Sequence, residues 1–315
     1  MTRLRLTYAI APPNRTTAPA RRHEIAAEQS ARLASLPLDA LLVYDVQDEA
    51  ARTAKPRPFA FVPKVDPLTY AFDALKLDHV PRIVYRAVAE QDEASLRGWL
   101  EQLQARGGRA VLVGAPSRAT STPVTLPQAF ALCQRHAPAL PFGGVLIAER
   151  HQTRGGEDLR IWSKMAQGCG FFVSQTVWSA SATKRLLRDL SARAQLTGDA
   201  PPPLLFTLSP CGSAQTLDFL EWLGVAVPAR AKRELLAAKD MLACSIDLAT
   251  DTFAEIRAYA KAHGLAVGCN VESLTARPAE IEASIELLRR IDQLDARDPR
   301  DRQPPNRAGD TPRCA

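Results

Sequence analysis

The chain has 315 residues, of which 46% are hydrophobic and 23% charged, a balance typical of globular proteins and unlike that of disordered chains. It has no run of about 18 consecutive apolar residues, so the sequence predicts no membrane-spanning helix and no membrane partner. The six scattered cysteines form no CxxC pair, which argues against a zinc or thioredoxin-type site and indicates a reducing, cytoplasmic location.

The net charge of +6 has two interpretations. One is a nucleic-acid-binding surface, and the other is a set of solvated, arginine-rich helix faces such as RLLRDLSARAQ. The second is favoured because no basic stripe with interleaved aromatic residues is present. We therefore predict no nucleic-acid partner, and we expect the mild positive field to attract anionic small molecules.

Short apolar runs alternate with longer amphipathic segments along the chain. The first run, LRLTYAIA at residues 4–11, leads into Pro-Pro and resembles a strand more than a signal peptide. Seven further strands are predicted at residues 39–46, 80–88, 109–115, 142–149, 171–177, 203–210 and 265–273. Between the strands, segments such as 21–36 and 93–107 repeat apolar residues every three or four positions, as amphipathic helices do.

Eight apolar strands separated by amphipathic helices predict a parallel sheet that is covered on both faces. Eight such units favour an α/β fold consisting of a single (β/α)8 TIM barrel over residues 1–291. The alternative, a doubly wound Rossmann sheet, would need GxGxxG after the first strand, where the chain has APPNR. The remaining residues, 292–315, are charged and rich in proline, and we predict that this tail is disordered.

The carboxyl ends of the strands of such a barrel form its active site. The polar residues predicted there include Asn14, Arg15, Tyr44, Asp45, Glu49, Arg86, Ser117, Glu149, His151, Gln175, Thr176, Thr207, Ser209, Asn270 and Glu272. This mixed set suits a polar, heteroaromatic or anionic ligand, and it is not a metal site because it contains a single histidine. Two members have simpler explanations, since His151 could cap a helix and the acidic cluster around Asp45 could be a solvated loop.

The segment ERHQTRGGEDLRIWSKMAQGCGFFVSQTVW, residues 149–178, resembles the methylenetetrahydrofolate reductase family of flavin-dependent (β/α)8 barrels. It has a histidine after strand five, a lysine in the following helix and a glutamine at the end of strand six, in the order of that family. The Pro-Pro after strand one and the segments around strands two and seven are weaker matches. Together they extend the resemblance over nearly the whole predicted barrel.

The resemblance implies specific contacts. Gln175 would hydrogen-bond the pterin ring of a folate, since an amide offers both donors and an acceptor. His151 and Lys164 would contact the phosphates or ribityl chain of a flavin, and Glu157 or Asp158 would lie near the ribityl position. Ser117, at the end of strand four, is predicted to belong to the same cofactor site. Four further mouth residues are predicted to bind the substrate: Thr207, Ser209, Asn270 and Glu272.

Two departures from the family pattern concern the chemistry. The family's first strand usually reads FEFFPP with a glutamate as general acid, whereas YAIAPP places Ala9 there. Its fourth strand usually ends in LRGD, whose aspartate lies beside the flavin, whereas LVGA places Ala115 there. Losing a general acid costs about 10²–10⁴-fold in rate, so another carboxyl must take over if the reaction is kept. The candidates for this catalytic role are Asp45, Glu49 and Glu149.

The leading hypothesis is an oxidoreductase that reduces 5,10-methylenetetrahydrofolate to 5-methyltetrahydrofolate with NAD(P)H. FAD is the family's usual cofactor, but the replaced contact at Ala115 also allows direct hydride transfer from NAD(P)H. Two alternatives stay open: a non-redox, tetrahydrofolate-dependent one-carbon transferase, and a non-catalytic folate-binding barrel. All three have a small-molecule folate as ligand, and all are compatible with a homo-oligomer.

Overall fold

A computed structural model describes residues 4–50, 53–115 and 122–296 of the chain. Its strands are β1 Leu6–Ile10, β2 Ala40–Val43, β3 Arg82–Ala87, β4 Arg109–Val113, β5 Phe142–Leu146, β6 Phe172–Thr176, β7 Leu204–Leu208 and β8 Val267–Glu272. Each strand is hydrogen-bonded in parallel to the next, and β8 pairs with β1 to close the barrel. The predicted (β/α)8 fold is therefore confirmed.

The helices surround this barrel. They are α1 Pro19–Leu33, α2 Pro67–Thr69, α3 Glu93–Ala105, α4 Leu126–His136, α5 Ala148–Arg154, α6 Glu157–Met165, α7 Ala180–Thr197, α8 Ala214–Trp222, α9 Ala229–Ala237, α10 Met241–Ala262 and α11 Pro278–Ala296. A π-helical turn over Tyr70–Ala74 continues α2. Several helices begin where a side chain accepts an amide hydrogen bond, as Asp92, Ser179 and Asp240 do for α3, α7 and α10. Of the helices described, none is long and apolar enough to cross a membrane.

The strands are buried on both faces. Inward-facing Leu42, Ile83, Val111, Val173 and Leu205 are at most 2% exposed and fill the barrel interior. Residues of the opposite parity pack against the helices and form the outer layer of the core. This double burial explains why the strands read as nearly continuous apolar runs in the sequence.

Two predicted boundaries were wrong. The fifth strand ends at Leu146, and Glu149 lies in the first turn of α5, because the AERHQTR segment is helical up to Gly155 and its left-handed backbone. Extended backbone at Ala238 separates α9 from α10. The closing helix continues past residue 291 to Ala296, with Leu294 packed on the core, so the first residues assigned to the disordered tail are helical. The rest of that predicted tail, 297–315, lies outside the described residues.

Candidate functional site at the barrel mouth

A buried hydrogen-bond network lies at the centre of the barrel mouth, and Glu272 is its carboxyl group. Glu272 is the last residue of β8, and its Oε1 accepts a hydrogen bond from Thr176 Oγ1 of β6 at 2.8 Å. The hydroxyl of Tyr44, directly after β2, also hydrogen-bonds to Glu272. Because β6 and β2 each lie two strands away from β8, on opposite sides, these side chains meet at the barrel axis.

Asn270, two residues earlier on β8, supports this network from below. Its Nδ2 donates to the Tyr44 hydroxyl and to Thr207 Oγ1, each at 3.1 Å. Its Oδ1 accepts from Thr7 Oγ1 at 3.0 Å. Asn270 and Thr207 are at most 1% exposed. Their observed role is therefore to hold the Tyr44 hydroxyl in position. Their predicted direct contact with a substrate stays a prediction.

Glu272 lies directly beside the residue at which the first strand lacks an acid. Parallel pairing places Ala9 of β1 opposite Glu272, and the Ala9 side chain faces the barrel interior. The small methyl side chain of Ala9 leaves space beside the Glu272 carboxyl. Tyr44 and Tyr85 form an edge-to-face pair with ring centroids 4.7 Å apart, an aromatic wall against which a flat heteroaromatic ring can pack.

Burial controls protonation in this network. Burial raises the pKa of Glu272, although the hydrogen bonds from Tyr44 and Thr176 act to lower it. Burial likewise raises the pKa of Tyr44 well above its ordinary value. A carboxyl with a raised pKa keeps its proton closer to neutral pH, so Glu272 has the chemistry of a proton donor.

Gln175 does not belong to this network. The pairing of β6 with β7 shifts register between Val173 and Thr176, and Thr176 reaches the axis. Gln175 instead donates from Nε2 to the carbonyl oxygen of Leu223, at the end of α8, at 2.9 Å. To contact a pterin ring with this amide group, Gln175 would have to leave that carbonyl, and its role as pterin contact stays a prediction.

Asp45 and Glu49, two of the predicted catalytic acids, follow β2. The Asp45 carboxylate accepts a hydrogen bond from the Ala87 amide at 2.9 Å and lies 3.8 Å from the Arg86 guanidinium. Burial raises the pKa of Asp45, and these two contacts oppose the rise. Asp45 therefore ties the end of β2 to the end of β3, while Glu49 lies half-buried further along the same segment.

Glu149, the third predicted acid, is buried in the first turn of α5. Its Oε1 lies 3.4 Å from the amide nitrogen of Trp178, directly beyond β6. Burial raises the pKa of Glu149 to about 7, with smaller opposing effects from backbone amides. Among the described residues, no hydrogen bond joins Glu149 to Glu272, Thr176 or Tyr44.

Replacing Glu149 by glutamine is expected to stabilise the protein at alkaline pH. Between the ordinary pKa of 4.5 and about 7, the unfolded chain loses the Glu149 proton while the folded chain keeps it, so wild-type stability falls as pH rises. At pH 8 the substitution should raise the free energy of unfolding by about 1 to 3 kcal/mol, and near pH 4 the two proteins should match. Urea denaturation at both pH values measures this difference, and an equal difference at both would contradict a raised pKa.

The residues predicted to contact a flavin form a cluster on the outer side of β5. His151 accepts a hydrogen bond from the Glu157 amide at Nδ1 (3.3 Å), which places its proton on Nε2, 2.9 Å from Asp189 Oδ2. Lys164 donates from Nζ to the carbonyl of Val145 at 2.7 Å, and burial lowers its pKa. Ser117, the fourth member of the predicted cofactor set, lies outside the described residues.

Glu157 is the most enclosed member of this cluster, with its side chain 1% exposed. Its carboxylate accepts two hydrogen bonds from Arg150 at 2.6 and 2.7 Å, one from Arg160 at 3.2 Å and one from the Ile147 amide at 3.0 Å. Burial alone would raise the pKa of Glu157, but these contacts bring it below its ordinary value. The oxygens predicted to face a ribityl chain are thus already bound within the protein.

Residues 55–58, which follow β2 in the chain, contact α8. Trp222 Nε1 donates to the Lys55 carbonyl at 2.9 Å, and Gln215 Nε2 donates to the Pro58 carbonyl at 3.2 Å. The Arg57 guanidinium lies 4.8 Å from the centroid of the Trp222 ring, in the range of a cation–π contact. Because α8 follows β7, these contacts place residues 55–58 on the β7 side of the barrel mouth.

Two residues of the site, Tyr85 and Thr7, were absent from the predicted set. They reach the interior through strand parity, and in the sequence only the alternation of the strands pointed to them. Thr176 was predicted at the mouth, and the β6 register shift brings it to the barrel axis. Ser209, predicted to bind substrate, is buried with a hydroxyl that has no hydrogen-bond partner among the described residues. Within the same residues, no group of three or more histidine, cysteine or acidic side chains could hold a metal ion.

Fold and site together define a (β/α)8 barrel protein with a buried carboxyl at its mouth. An uncharacterized protein from Clostridium thermocellum that binds two copies of 5-methyl-5,6,7,8-tetrahydrofolic acid is 32% identical to the chain. That similarity covers 93% of this chain and 96% of the other, with a TM-score of 0.80. The chain therefore belongs to the same family as this Clostridium thermocellum protein.

A second similarity concerns the fold alone. The oxygenating constituent of 3,6-diketocamphane monooxygenase from Pseudomonas putida, in complex with FMN, is 12% identical with a TM-score of 0.54. It covers 91% of this chain and 97% of its own length. No family model and no curated protein matches the chain, so membership of the methylenetetrahydrofolate reductase family stays a prediction from the motifs.

Proposed function

We propose that the barrel mouth binds a reduced folate, with the pterin ring beside Glu272 and the Tyr44–Tyr85 wall. The observation that carries this proposal is the family relationship to a protein that binds 5-methyltetrahydrofolic acid over nearly the same length of chain. The chemistry of the mouth supports it, since a pterin is flat and carries both donors and acceptors on one edge. A carboxyl, two hydroxyls and an aromatic face match those features.

The reaction that we propose is the reduction of 5,10-methylenetetrahydrofolate to 5-methyltetrahydrofolate. A proton delivered to N10 breaks the bond between N10 and the methylene carbon and leaves an iminium at N5. A hydride from NAD(P)H then adds to that carbon and gives the methyl group. The protein must bind the two rings face to face and supply the proton, and alignment accounts for much of the rate.

Glu272 is the proton donor in this proposal, in place of the three acids predicted from the sequence. It is buried at the axis, its pKa is raised by burial, and it lies beside Ala9, where the resembling family has its acid. Asp45 is engaged by the Ala87 amide, and Glu149 lies under the loop after β6. Hydroxyl donors from Thr176 and Tyr44 then stabilise the carboxylate that remains after proton transfer.

The residues predicted to hold FAD do not fit that cofactor in their present contacts. Glu157 and Lys164 are engaged by Arg150, Ile147 and Val145, and the aspartate expected beside the flavin ring is Ala115. We therefore propose that the hydride passes directly from NAD(P)H to the folate.

A second candidate is non-redox transfer of the one-carbon unit from a tetrahydrofolate. It is favoured by one observation, which is that the ligand of the Clostridium thermocellum protein already carries its carbon as a methyl group. Such a transfer also needs an acid near N5 or N10, so Glu272 would keep its role. Consumption of NAD(P)H separates the two candidates.

The test is the absorbance of NAD(P)H at 340 nm, followed with and without 5,10-methylenetetrahydrofolate. We expect oxidation of NAD(P)H that depends on the folate and forms one 5-methyltetrahydrofolate per NAD(P)H consumed, without added FAD. If 5-methyltetrahydrofolate binds but no NAD(P)H is consumed, the reductase proposal is wrong and the transferase becomes the leading one.

A further inference from the structure

A cavity of about 300 Å³ lies beside the mouth, between β1 and α1 on one side and the segment after β8 on the other. Its volume is at the lower end of the range of small-molecule sites, about 300–1,000 Å³. Pro12, Pro13, Ile25 and Leu33 are among the apolar residues that line it. Ser273, the residue that follows Glu272, also lines it, so the cavity lies at the same end of the barrel as the central network.

Lys64 provides a cation at the wall of this cavity. It is held by an antiparallel bridge to Asn14, with flanking hydrogen bonds from the Arg15 amide to Pro63 (2.8 Å) and from the Val65 amide to Pro13 (3.0 Å). Its ammonium donates to Asn14 Oδ1 at 2.6 Å. The backbone of Lys64 is therefore tied to the segment after β1, and the Asn14 side chain holds the ammonium.

The Lys64 ammonium lacks a counter-charge within the described part of the chain. No carboxylate oxygen of those residues lies within 4.0 Å of it, and its side-chain partner there is the neutral Asn14 amide. Burial lowers the pKa of Lys64, and the positive charge of Arg57 lowers it further. A half-buried cation near a second cation is stabilised by an anion more strongly than an exposed one, because water screens it less.

We propose that this cavity binds an aryl carboxylate, with Lys64 Nζ as the donor to the carboxylate and the apolar wall against the ring. Given the proposed function, on which this choice of ligand rests, the occupant is the 4-aminobenzoyl-glutamate half of the folate whose pterin lies at Glu272. Ser273 follows Glu272 in the chain and lines the cavity, and the proposal places one extended molecule with its pterin at Glu272 and its benzoyl-glutamate in the cavity. Arg32, at another part of the wall, is paired with the exposed Glu282 at 3.2 Å and supplies further positive charge.

The experiment uses N-(4-aminobenzoyl)-L-glutamate, which lacks the pterin, as a calorimetric probe of the 315-residue chain. The wild type should bind it, and Lys64→Met should weaken binding by at least about tenfold, the loss expected for one charge-assisted hydrogen bond. Lys64→Arg, which keeps the charge, should retain most of the affinity and shows that the fold is intact. Lys239→Met, at an exposed lysine before α10, is the matched control and should bind as the wild type does.

Two results would overturn the assignment: no binding of the probe to the wild type, or equal affinity for the wild type and Lys64→Met. Glu272→Gln should leave probe affinity within about twofold, since it alters the pterin position and not Lys64. Failure of the proposed function has a different signature. The probe would then bind in a Lys64-dependent way while 5-methyltetrahydrofolate shows no additional affinity over the probe.

Discussion

Glu272→Gln is expected to reduce turnover by about 10²–10⁴-fold, the usual cost of losing a general acid. Glutamine can still accept the hydrogen bonds from Thr176 and Tyr44, so the network and the fold should persist. It cannot deliver a proton to N10, and the ring of the substrate would have to open without an acid. The rate constant kcat at 340 nm measures the loss, and calorimetry with 5-methyltetrahydrofolate should show affinity within about tenfold of the wild type.

Glu149→Gln is the matched control, because it removes a second buried carboxyl whose pKa burial raises to about 7. Its turnover should stay within a few-fold of the wild type. A proton donor must be protonated, so wild-type turnover should fall as pH rises through the raised pKa of Glu272. Full activity of Glu272→Gln would exclude Glu272 as the acid, and a large loss in Glu149→Gln alone would assign the role to Glu149.

Glu157→Gln is expected to lower the free energy of unfolding by about 3 kcal/mol. The carboxylate is enclosed and binds Arg150 twice, Arg160 once and the Ile147 amide once. Glutamine keeps the shape but loses the charge that balances Arg150, which would be left partly buried. Urea denaturation at pH 7 measures the change, and binding of 5-methyltetrahydrofolate to the folded variant should be unaffected.

Glu255→Gln is the control for Glu157→Gln. Glu255 pairs with Lys184 at 2.9 Å, but its side chain is 60% exposed, so losing the pair should cost less than about 1 kcal/mol. A loss for Glu157→Gln no greater than for this control would show that the Glu157 cluster contributes little to folding.

The fold could be predicted because each strand and helix leaves a pattern within a short stretch of sequence. Apolar runs bounded by proline, glycine and charged helices locate the strands, and eight alternations leave few architectures other than a closed barrel. The end of β5 was misplaced because VLIAE is as apolar as a strand, and the start of α5 is visible only through the helix that follows.

The site was harder to predict because it depends on register between strands that are distant in sequence. The register shift between β6 and β7 places Thr176, and not Gln175, at the barrel axis. No residue pattern within β6 predicts this shift. Pairing of β1 with β8 brings Glu272 to the methyl group of Ala9 across more than 250 residues of chain. The family resemblance identified Ala9 as the position of the missing acid. Only the pairing of β1 with β8 in the closed barrel shows that the Glu272 carboxyl lies next to Ala9.

Calorimetric titration of 5-methyltetrahydrofolate into the 315-residue chain tests the folate-binding proposal most directly. We predict saturable binding that is weakened both by Tyr85→Ala, which removes half of the aromatic wall, and by Lys64→Met, at the far end of the ligand. Absence of binding at millimolar folate, in protein shown to be folded by circular dichroism, would contradict the proposal.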